Sequence, residues 1–86
     1  MADYNIEWKN SALKELDALP NREIARILST IETLVTNPYP DGSIKLAGAN
    51  NRYRIRVGDY RIIYTIENQK LIIMVIKIGH RREVYR

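Results

Sequence analysis

The chain has 86 residues, enough for one compact domain because few domains fall below about 50 residues. We therefore expect residues 1–86 to form a single domain. The hydrophobic fraction of 45% and the charged fraction of 28% are typical of globular proteins and exclude a fully disordered chain. The absence of cysteine excludes disulfides, thiolate metal ligands and cysteine nucleophiles. No apolar stretch approaches the ~20 residues of a membrane-spanning helix, and the N-terminus lacks a signal pattern, so we expect a cytoplasmic protein without a membrane partner.

The basic residues are concentrated in the second half of the chain. Residues 1–43 hold four lysines and arginines against seven acidic residues, for a net charge of −3, whereas residues 44–86 hold ten against three, for +7. Such a split predicts a supporting half and a basic half that binds a polyanion. The alternative is an unevenly charged surface that only keeps the protein soluble, and charge alone does not exclude it.

The first half has the pattern of a strand followed by two helices. Residues 4–8 alternate between apolar and polar side chains, as in a half-buried strand. Asn10 or Ser11 can cap a helix that Pro20 ends, and Asn21 can cap a second helix whose apolar residues recur every three or four positions. Because so few residues join the two helices, we expect an antiparallel helical hairpin.

From Ile44 onward the pattern becomes strand-like. Residues 53–57 and 60–64 alternate on either side of Gly58-Asp59, which suits a two-residue hairpin turn with glycine first. Residues 71–76 are all apolar and predict a central strand covered on both faces, after a turn near Asn68-Gln69. The sequence therefore predicts an α+β fold: an N-terminal strand, an α-helical hairpin, and an antiparallel β-meander sheet packed on the helices.

The predicted hairpin brings arginines together on the sheet. With Gly58-Asp59 in the turn, Arg56 faces Arg61, and Arg54 projects from the same face. Like charges directly across strands destabilise a sheet, whereas a phosphate held between guanidinium groups reverses the sign of that interaction. Edge protection against aggregation is the alternative explanation for basic residues on a strand. Three arginines on one face favour a phosphate site.

The C-terminal segment is predicted to return toward the same face. Gly79 permits a sharp exit from the last strand, which would direct His80 and Arg81 over the arginines, and Tyr85 could then reach the same region. This combination suits cleavage of RNA by its own 2′-hydroxyl, a reaction in which positive charge stabilises the phosphorane. Metal-dependent cleavage is not expected, because Asp41, Asp59 and the single histidine form no ligand cluster, and we predict no cofactor.

The acid–base groups have two readings each. His80 has the only side chain that ordinarily titrates near neutrality and is the natural general acid or base, or else a solvated turn residue. Tyr85 needs neighbouring cations to act as a base, and is otherwise an aromatic that packs on the sheet edge. Arg81 can stabilise charge but is a poor proton donor.

The chain resembles the RelE/ParE superfamily of toxins from type II toxin–antitoxin pairs, over nearly its whole length. The matching segments are the Asn37-Pro38 loop, Lys45-Leu46-Ala47-Gly48, Tyr53-Arg54-Ile55-Arg56-Val57-Gly58-Asp59-Tyr60-Arg61-Ile62-Ile63-Tyr64 and Ile78-Gly79-His80-Arg81-Arg82-Glu83-Val84-Tyr85. Resemblance to the RelE branch implies a metal-independent endoribonuclease, an mRNA interferase that cleaves messenger RNA in the ribosomal A site by 2′-hydroxyl attack.

The resemblance also implies roles for individual residues. Arg61 and Arg81 match residues that stabilise the phosphate and the leaving group, and Tyr85 matches a tyrosine proposed as base or stacking platform. Arg54 and Arg56 replace lysines of well-studied RelE members, so we assign both to phosphate binding only. Our expected catalytic and RNA-binding residues are Arg61, Arg81, Tyr85 and His80, and Arg54, Arg56, Lys45 and Arg82, respectively.

The resemblance leaves two other functions open. The ParE branch poisons DNA gyrase and cleaves no RNA, and a third class has lost activity and only binds RNA or the antitoxin. Retention of Arg61 and Arg81 favours the RelE branch. The implied partners are a cognate antitoxin, the ribosome with its messenger RNA, and operator DNA reached through the antitoxin.

Overall fold

The computed structural model describes residues 3–48 and 50–80 of the chain. The predicted order of a strand, two helices and an antiparallel meander is confirmed. The elements are β1 (Asn5–Trp8), α1 (Asn10–Asp17), α2 (Asn21–Leu34), β2 (Ile44–Lys45), β3 (Arg52–Val57), β4 (Tyr60–Glu67) and β5 (Ile72–His80). No helix within these described residues is long and apolar enough to cross a membrane.

The strands form one five-stranded sheet in the order β1-β5-β4-β3-β2. The pairs β2–β3, β3–β4 and β4–β5 are antiparallel. Strand β1 pairs with β5 in parallel, with Asn5 aligned with Ile72 and Trp8 with Val75. A parallel pair needs a long crossover, and here both helices and three strands separate β1 from β5 along the chain. The first strand is thus held at the edge of the sheet by the last.

Both helices begin one residue earlier than the predicted caps imply. Lys9 is the N-cap of α1 and Pro20 is the N-cap of α2, so Asn10 and Asn21 are already helical. Neither N-cap residue makes a side-chain capping hydrogen bond. The predicted capping roles of Asn10, Ser11 and Asn21 are therefore wrong, although both helices lie where their apolar spacing places them.

The core lies between the helices and one face of the sheet. Its helical members are Ala12 and Leu16 of α1 and Ile27, Ile31 and Leu34 of α2. On the strands, the buried apolar side chains recur at every second position of one face, except that a register irregularity between β4 and β5 leaves Val75 and Ile78 three positions apart: Ile55, Val57, Ile62, Tyr64, Ile66, Ile73, Val75 and Ile78. We call this the helix-covered face of the sheet. Tyr64 is fully buried and its hydroxyl donates to the Pro38 carbonyl oxygen at 3.0 Å.

The opposite face of the sheet is less covered than the apolar run at residues 71–76 predicts. Ile73 and Val75 are buried in the core, but Ile72 and Met74 are only half-buried. The expectation that this strand is covered on both faces is therefore wrong, because the helices of the described chain pack on one face alone. The open face is the surface on which the predicted arginines lie.

Candidate functional site

Among the residues that the structure describes, four arginines project from the open face of the sheet, one more than the sequence pattern predicted. The predicted register is confirmed: Val57 pairs with Tyr60 across the Gly58-Asp59 turn, and Arg56 with Arg61. Gly58 has φ +59°, as the first position of such a turn requires. Alternation along β3 then places the following residues on one surface, which we call the arginine face: Arg52, Arg54, Arg56 and Arg61. Arg52 was missed because the strand was predicted to begin at Tyr53.

Arg61 is the most confined of the four. Its side chain is only 6% exposed, and its Nε and Nη1 atoms are buried. Strand β4 lies between β3 and β5, with Arg56 on one side of Arg61 and Gly79 on the other. Edge protection does not account for an arginine on an interior strand. Because arginine is rarely so buried, Arg61 stands apart from the other arginines of this face.

Arg56 connects the arginine face to the end of the hairpin. Its side chain is exposed, and its Nε donates a hydrogen bond to the Gly58 carbonyl oxygen at 2.9 Å. This bond draws the guanidinium toward the turn. Arg56 consequently lines two adjoining clefts at this end of the molecule, one of about 520 Å³ and one of about 540 Å³.

His80 lies on the other face of the sheet from Arg61. Strand β5 continues through Gly79 to His80, so the predicted sharp exit at Gly79 is wrong. His80 pairs with Tyr60, whose strand neighbour Val57 is in the core, and the imidazole meets the Tyr60 ring edge-on with centroids 5.7 Å apart. A strand places successive side chains on opposite faces. Because Gly79 pairs with Arg61 on the arginine face, His80 lies on the helix-covered face.

His80 nevertheless reaches the same end of the molecule as Arg56. The 520 Å³ cleft is lined by both residues, together with Tyr60 and the Arg26 side chain from α2. Glu23 and Asp59 also line it, so this cleft has mixed charge. The structure thus brings an imidazole and a guanidinium to one cleft from opposite sides of the sheet.

Lys45 does not lie with the predicted phosphate-binding arginines. It pairs with Tyr53 in the short β2–β3 ladder, and directly paired residues share a face. Tyr53 packs against the core and stacks on Tyr64, with ring centroids 6.1 Å apart. Lys45 is exposed on the side of the sheet that carries the helices, where Ile44 rather than Lys45 is aligned with Arg54.

The remaining predicted residues, Arg81, Arg82 and Tyr85, lie outside the described residues. Their assigned roles stay predictions. Within residues 3–48 and 50–80, no group of three histidine, aspartate or glutamate side chains could hold a metal ion. The described part of the site consists of guanidinium groups, one imidazole, the Tyr60 ring and the carboxylates of Glu23 and Asp59.

Arg26 is a second residue that the sequence reading missed. Its Nη1 lies 3.2 Å from the position that a Cβ on Gly58 would occupy, so its guanidinium packs on the hairpin turn. Glu23 of the same helix lies 3.5 Å from Nη1, in an exposed pair of the kind that contributes little stability. On the sequence alone, Arg26 is one of several polar residues on an amphipathic helix, with no signal that separates it from the others.

Comparison with known proteins identifies relatives along nearly the whole chain. The model of the ParE toxin of the type II toxin–antitoxin system parDE matches residues 6–85. The RelE1 protein of Methanocaldococcus jannaschii is 34% identical over 86 residues, which cover 96% of this chain and 96% of that protein.

Crystal structures show the same fold. A chain of the archaeal RelE–RelB complex from Pyrococcus horikoshii superposes with a TM-score of 0.82 at 31% identity, covering 91% of this chain and 94% of that chain. The isolated RelE toxin of Escherichia coli gives a TM-score of 0.81 at 27% identity, covering 95% and 90%, respectively. With a family model that spans residues 6–85 and a RelE1 relative aligned over nearly its full length, this chain belongs to the RelE/ParE superfamily of type II toxin–antitoxin toxins.

Proposed function

We propose that the protein is the RelE-type toxin of a toxin–antitoxin pair and a metal-independent endoribonuclease that cleaves messenger RNA on the ribosome, in the cytoplasm. The observation that carries this proposal is the confinement of Arg61 on an interior strand, between Arg56 and the bare backbone of Gly79. The relatives of this protein include proteins named RelE, one of them crystallised with RelB. A buried guanidinium beside an exposed one suits a phosphodiester that enters from solvent.

The arginine face would supply most of the catalysis by electrostatics. Attack of a ribose 2′-hydroxyl on the adjacent phosphorus places additional negative charge on the phosphoryl oxygens. Arg61 is already desolvated and held in place by the sheet, so it can stabilise that charge without reorganising. Arg56 and Arg54 would hold the flanking backbone, since guanidinium groups bind phosphate oxygens with two parallel donors.

The proton transfers are assigned to residues near the C-terminus. We propose that Arg81 stabilises the negative charge on the leaving 5′-oxygen and that Tyr85 acts as the base or as a stacking platform. Arg82 would bind the RNA backbone. His80 faces the cleft that Arg56 also lines, so it could exchange a proton with an RNA that passes over the hairpin end. Lys45 lies on the side of the sheet that carries the helices, so we propose that it would contact RNA only outside the scissile region.

The protein's partner would be a cognate antitoxin, because a related chain was crystallised as a RelE–RelB complex. We propose that an acidic or amphipathic antitoxin segment covers the arginine face or displaces the C-terminal segment. Helix-in-groove binding and strand addition are both compatible with the open face and the short β2 strand. Operator DNA would be bound through the antitoxin.

A programmed-ribosome assay tests the proposed activity. Purified protein is incubated with ribosomes carrying messenger RNA, with the same RNA free in solution, and with gyrase plus plasmid. We expect cuts only in the ribosome-bound messenger, and their loss in Arg61→Gln but not in Arg22→Gln, which alters an exposed arginine of α2. Unchanged cutting by a folded Arg61→Gln variant would refute the role of Arg61.

Gyrase poisoning is the second candidate, because the matching family model is that of a ParE toxin. A ParE-type activity would produce covalent DNA breaks in the gyrase arm and no cuts in RNA. Cuts in free RNA without ribosomes would instead identify a ribosome-independent nuclease. Protein that binds RNA but cuts nothing would identify an inactive binding module.

A further inference from the structure

A groove lies between helix α2 and the exposed edge of β3, next to the arginine face. Strand β2 pairs only with Tyr53 and Arg54, so this ladder leaves the edge of β3 uncovered from Ile55 onward. Helix α2 runs beside this edge, and the cleft of about 540 Å³ between them is lined by Arg26, Ser29, Thr30, Arg56, Val57 and their neighbours. Part of this groove is therefore made by two arginines and two hydroxyl-bearing side chains.

The two arginines approach the hairpin turn from different elements. Arg26 reaches Gly58 from the helix, with its Nη1 3.2 Å from the position of a Gly58 Cβ. Arg56 reaches it from the strand, through the 2.9 Å hydrogen bond from Nε to the Gly58 carbonyl oxygen. Among the described residues, no carboxylate lines this groove itself, but Arg26 Nη1 also lies 3.5 Å from Glu23 Oε1, which lines the neighbouring cleft together with Asp59. Two guanidinium groups that converge on one groove form a favourable environment for an anion, and the exposed Glu23 pair is weak enough for such an anion to compete with it.

Arg56 links the groove to the site of the proposed reaction. It is the cross-strand partner of Arg61 and also lines the groove with Arg26, although Arg61 itself does not line the groove. Because neighbouring strands lie about 4.8 Å apart, Arg61 and Arg56 would contact the same part of a ligand. A single RNA strand lying on Arg61 and Arg56 would present its next phosphates toward Arg26.

We propose that Arg26 and Arg56 form a second phosphate site, which holds the RNA backbone beside the phosphodiester bound at Arg61. The inference rests on the proposed function, in that the ligand is the same RNA. It assigns Arg26 as a positioning residue rather than a catalytic residue. Ser29 lies beside the same site on the helix, where its hydroxyl can donate to a phosphate oxygen, whereas the Thr30 hydroxyl donates to the Arg26 carbonyl oxygen at 3.1 Å.

The test measures binding without cleavage, so that it is independent of the nuclease assay. The probe is a fluorescent single-stranded RNA that carries 2′-O-methyl groups throughout and cannot be cut. Its affinity is measured by anisotropy over a salt series for the wild type, Arg26→Gln and Arg22→Gln. Each lost phosphate contact to a single strand lowers the slope of log affinity against log salt by about 0.7. We expect that decrease, with about threefold to tenfold weaker binding at low salt, for Arg26→Gln only.

Two further measurements make the outcome decisive. If Arg26 and Arg56 hold one phosphate, the loss of RNA affinity in the double variant Arg26→Gln/Arg56→Gln is smaller than the product of the fold-losses in the two single variants. Binding to ribosomes without messenger is measured as well. If Arg26→Gln weakens binding to these ribosomes alone, the bound phosphate belongs to ribosomal RNA. If it weakens binding to the oligonucleotide, the phosphate belongs to the substrate strand. Thermal unfolding of each variant confirms that it is folded.

The result that overturns the inference is a folded Arg26→Gln protein whose affinity and salt slope match those of Arg22→Gln with both ligands. Failure of the proposed function would look different. In that case ribosomes would not be cut by the wild type, whereas the Arg26-dependent salt slope could still be present. Normal cutting with no Arg26 effect on either ligand would leave the proposed function standing and remove only the second phosphate site.

Discussion

Gly79 lies directly opposite Arg61 across the β4–β5 pair, and both residues are buried. A glycine at this position leaves the arginine face without a side chain beside the guanidinium. Because directly paired residues share a face, any larger residue at position 79 would enter the space next to Arg61. The glycine thus keeps the arginine face clear beside Arg61, rather than making the sharp exit that the sequence led us to expect.

We predict that Gly79→Val reduces ribosome-dependent cleavage at least about tenfold, which corresponds to about 1.4 kcal/mol of transition-state stabilisation. The branched side chain would displace the guanidinium, and overpacking would cost about 1–3 kcal/mol of folding free energy. Cleavage rate and urea unfolding are measured together. Lys77→Val, two residues earlier on the same strand, is the control and should cut like the parent. Parental cutting by folded Gly79→Val would contradict this account of Arg61.

We predict that Gly58→Ala destabilises the fold by about 1–2 kcal/mol, because φ +59° is unfavourable for a residue with a Cβ. The new Cβ would also lie 3.2 Å from Nη1 of Arg26 and displace that side chain. Gly42→Ala is the matched control: nothing lies within 4 Å of its Cβ position, so its free energy of unfolding should change by less than about 0.5 kcal/mol. Equal stability of the two variants in urea would refute the prediction.

Removing the buried hydroxyl of Tyr64 should destabilise the protein. Tyr64→Phe leaves the buried Pro38 carbonyl without the hydrogen bond that the hydroxyl now donates, at a cost of about 1–3 kcal/mol. Tyr39→Phe removes an exposed hydroxyl that donates to Asn68 Oδ1 at 3.2 Å, and should cost less than about 0.5 kcal/mol. Chemical denaturation at neutral pH measures both. A smaller loss for Tyr64→Phe than for Tyr39→Phe would exclude the proposed role of the Pro38 contact.

The same tyrosine should make stability sensitive to alkaline pH. Burial raises the pKa of Tyr64 from 10.0 to about 12 in the folded protein. The folded state therefore keeps a proton that the unfolded state releases, so this stabilisation is complete below pH 10 and is lost as the pH rises toward 12. The loss amounts to about 2–3 kcal/mol, since one pKa unit corresponds to about 1.4 kcal/mol. We expect the free energy of unfolding to fall less for Tyr64→Phe than for the wild type between pH 9 and 12. Parallel plots of this free energy against pH for the two proteins would contradict the prediction.

Glu15 fastens α1 to the end of β5. Strand β1 ends at Trp8, opposite Val75, so within the described residues no strand pairs with this edge of β5 beyond that point. There the Ile78 backbone N–H donates to Glu15 Oε1 at 2.9 Å, and Lys77 Nζ lies 3.6 Å from Oε2. The backbone contact is the more buried of the two.

We therefore predict that Glu15→Ala costs about 1–3 kcal/mol, because it leaves a partly buried N–H without an acceptor. Glu15→Gln keeps an acceptor and should retain most of the stability, while Lys77→Ala, which removes only an exposed ion pair, should cost less than about 1 kcal/mol. Urea unfolding at neutral pH distinguishes the three. If Lys77→Ala were as destabilising as Glu15→Ala, the ion pair rather than the backbone contact would be the important interaction.

The local features of the fold could be predicted because short-range patterns determine them. Alternation on both sides of Gly58-Asp59 was sufficient for the hairpin register, including the Arg56–Arg61 pair. The parallel pairing of β1 with β5 was not predictable, since it depends on packing between residues far apart in sequence. The half-exposed Ile72 and Met74 were misread for the same reason: apolar character does not reveal whether a second layer covers a strand.

The candidate site divides in the same way. The arginine face follows from strand periodicity, except that Arg52 was lost to a one-residue error at the strand start. His80 was misplaced because glycine permits both a sharp turn and an extended strand, and here β5 simply continues. Arg26 belongs to a different element, and only the packing of α2 against the hairpin brings it to Gly58. Long-range packing, rather than residue type, decides these positions.

The β1–β5 pairing also has a consequence for how the protein is made. Both helices and three other strands must be synthesised after β1 before its partner β5 exists. That side of the sheet can therefore close only late, and contacts between residues so far apart in sequence form slowly. A nascent chain of this topology would keep β1 without its partner strand until β5 has left the ribosome.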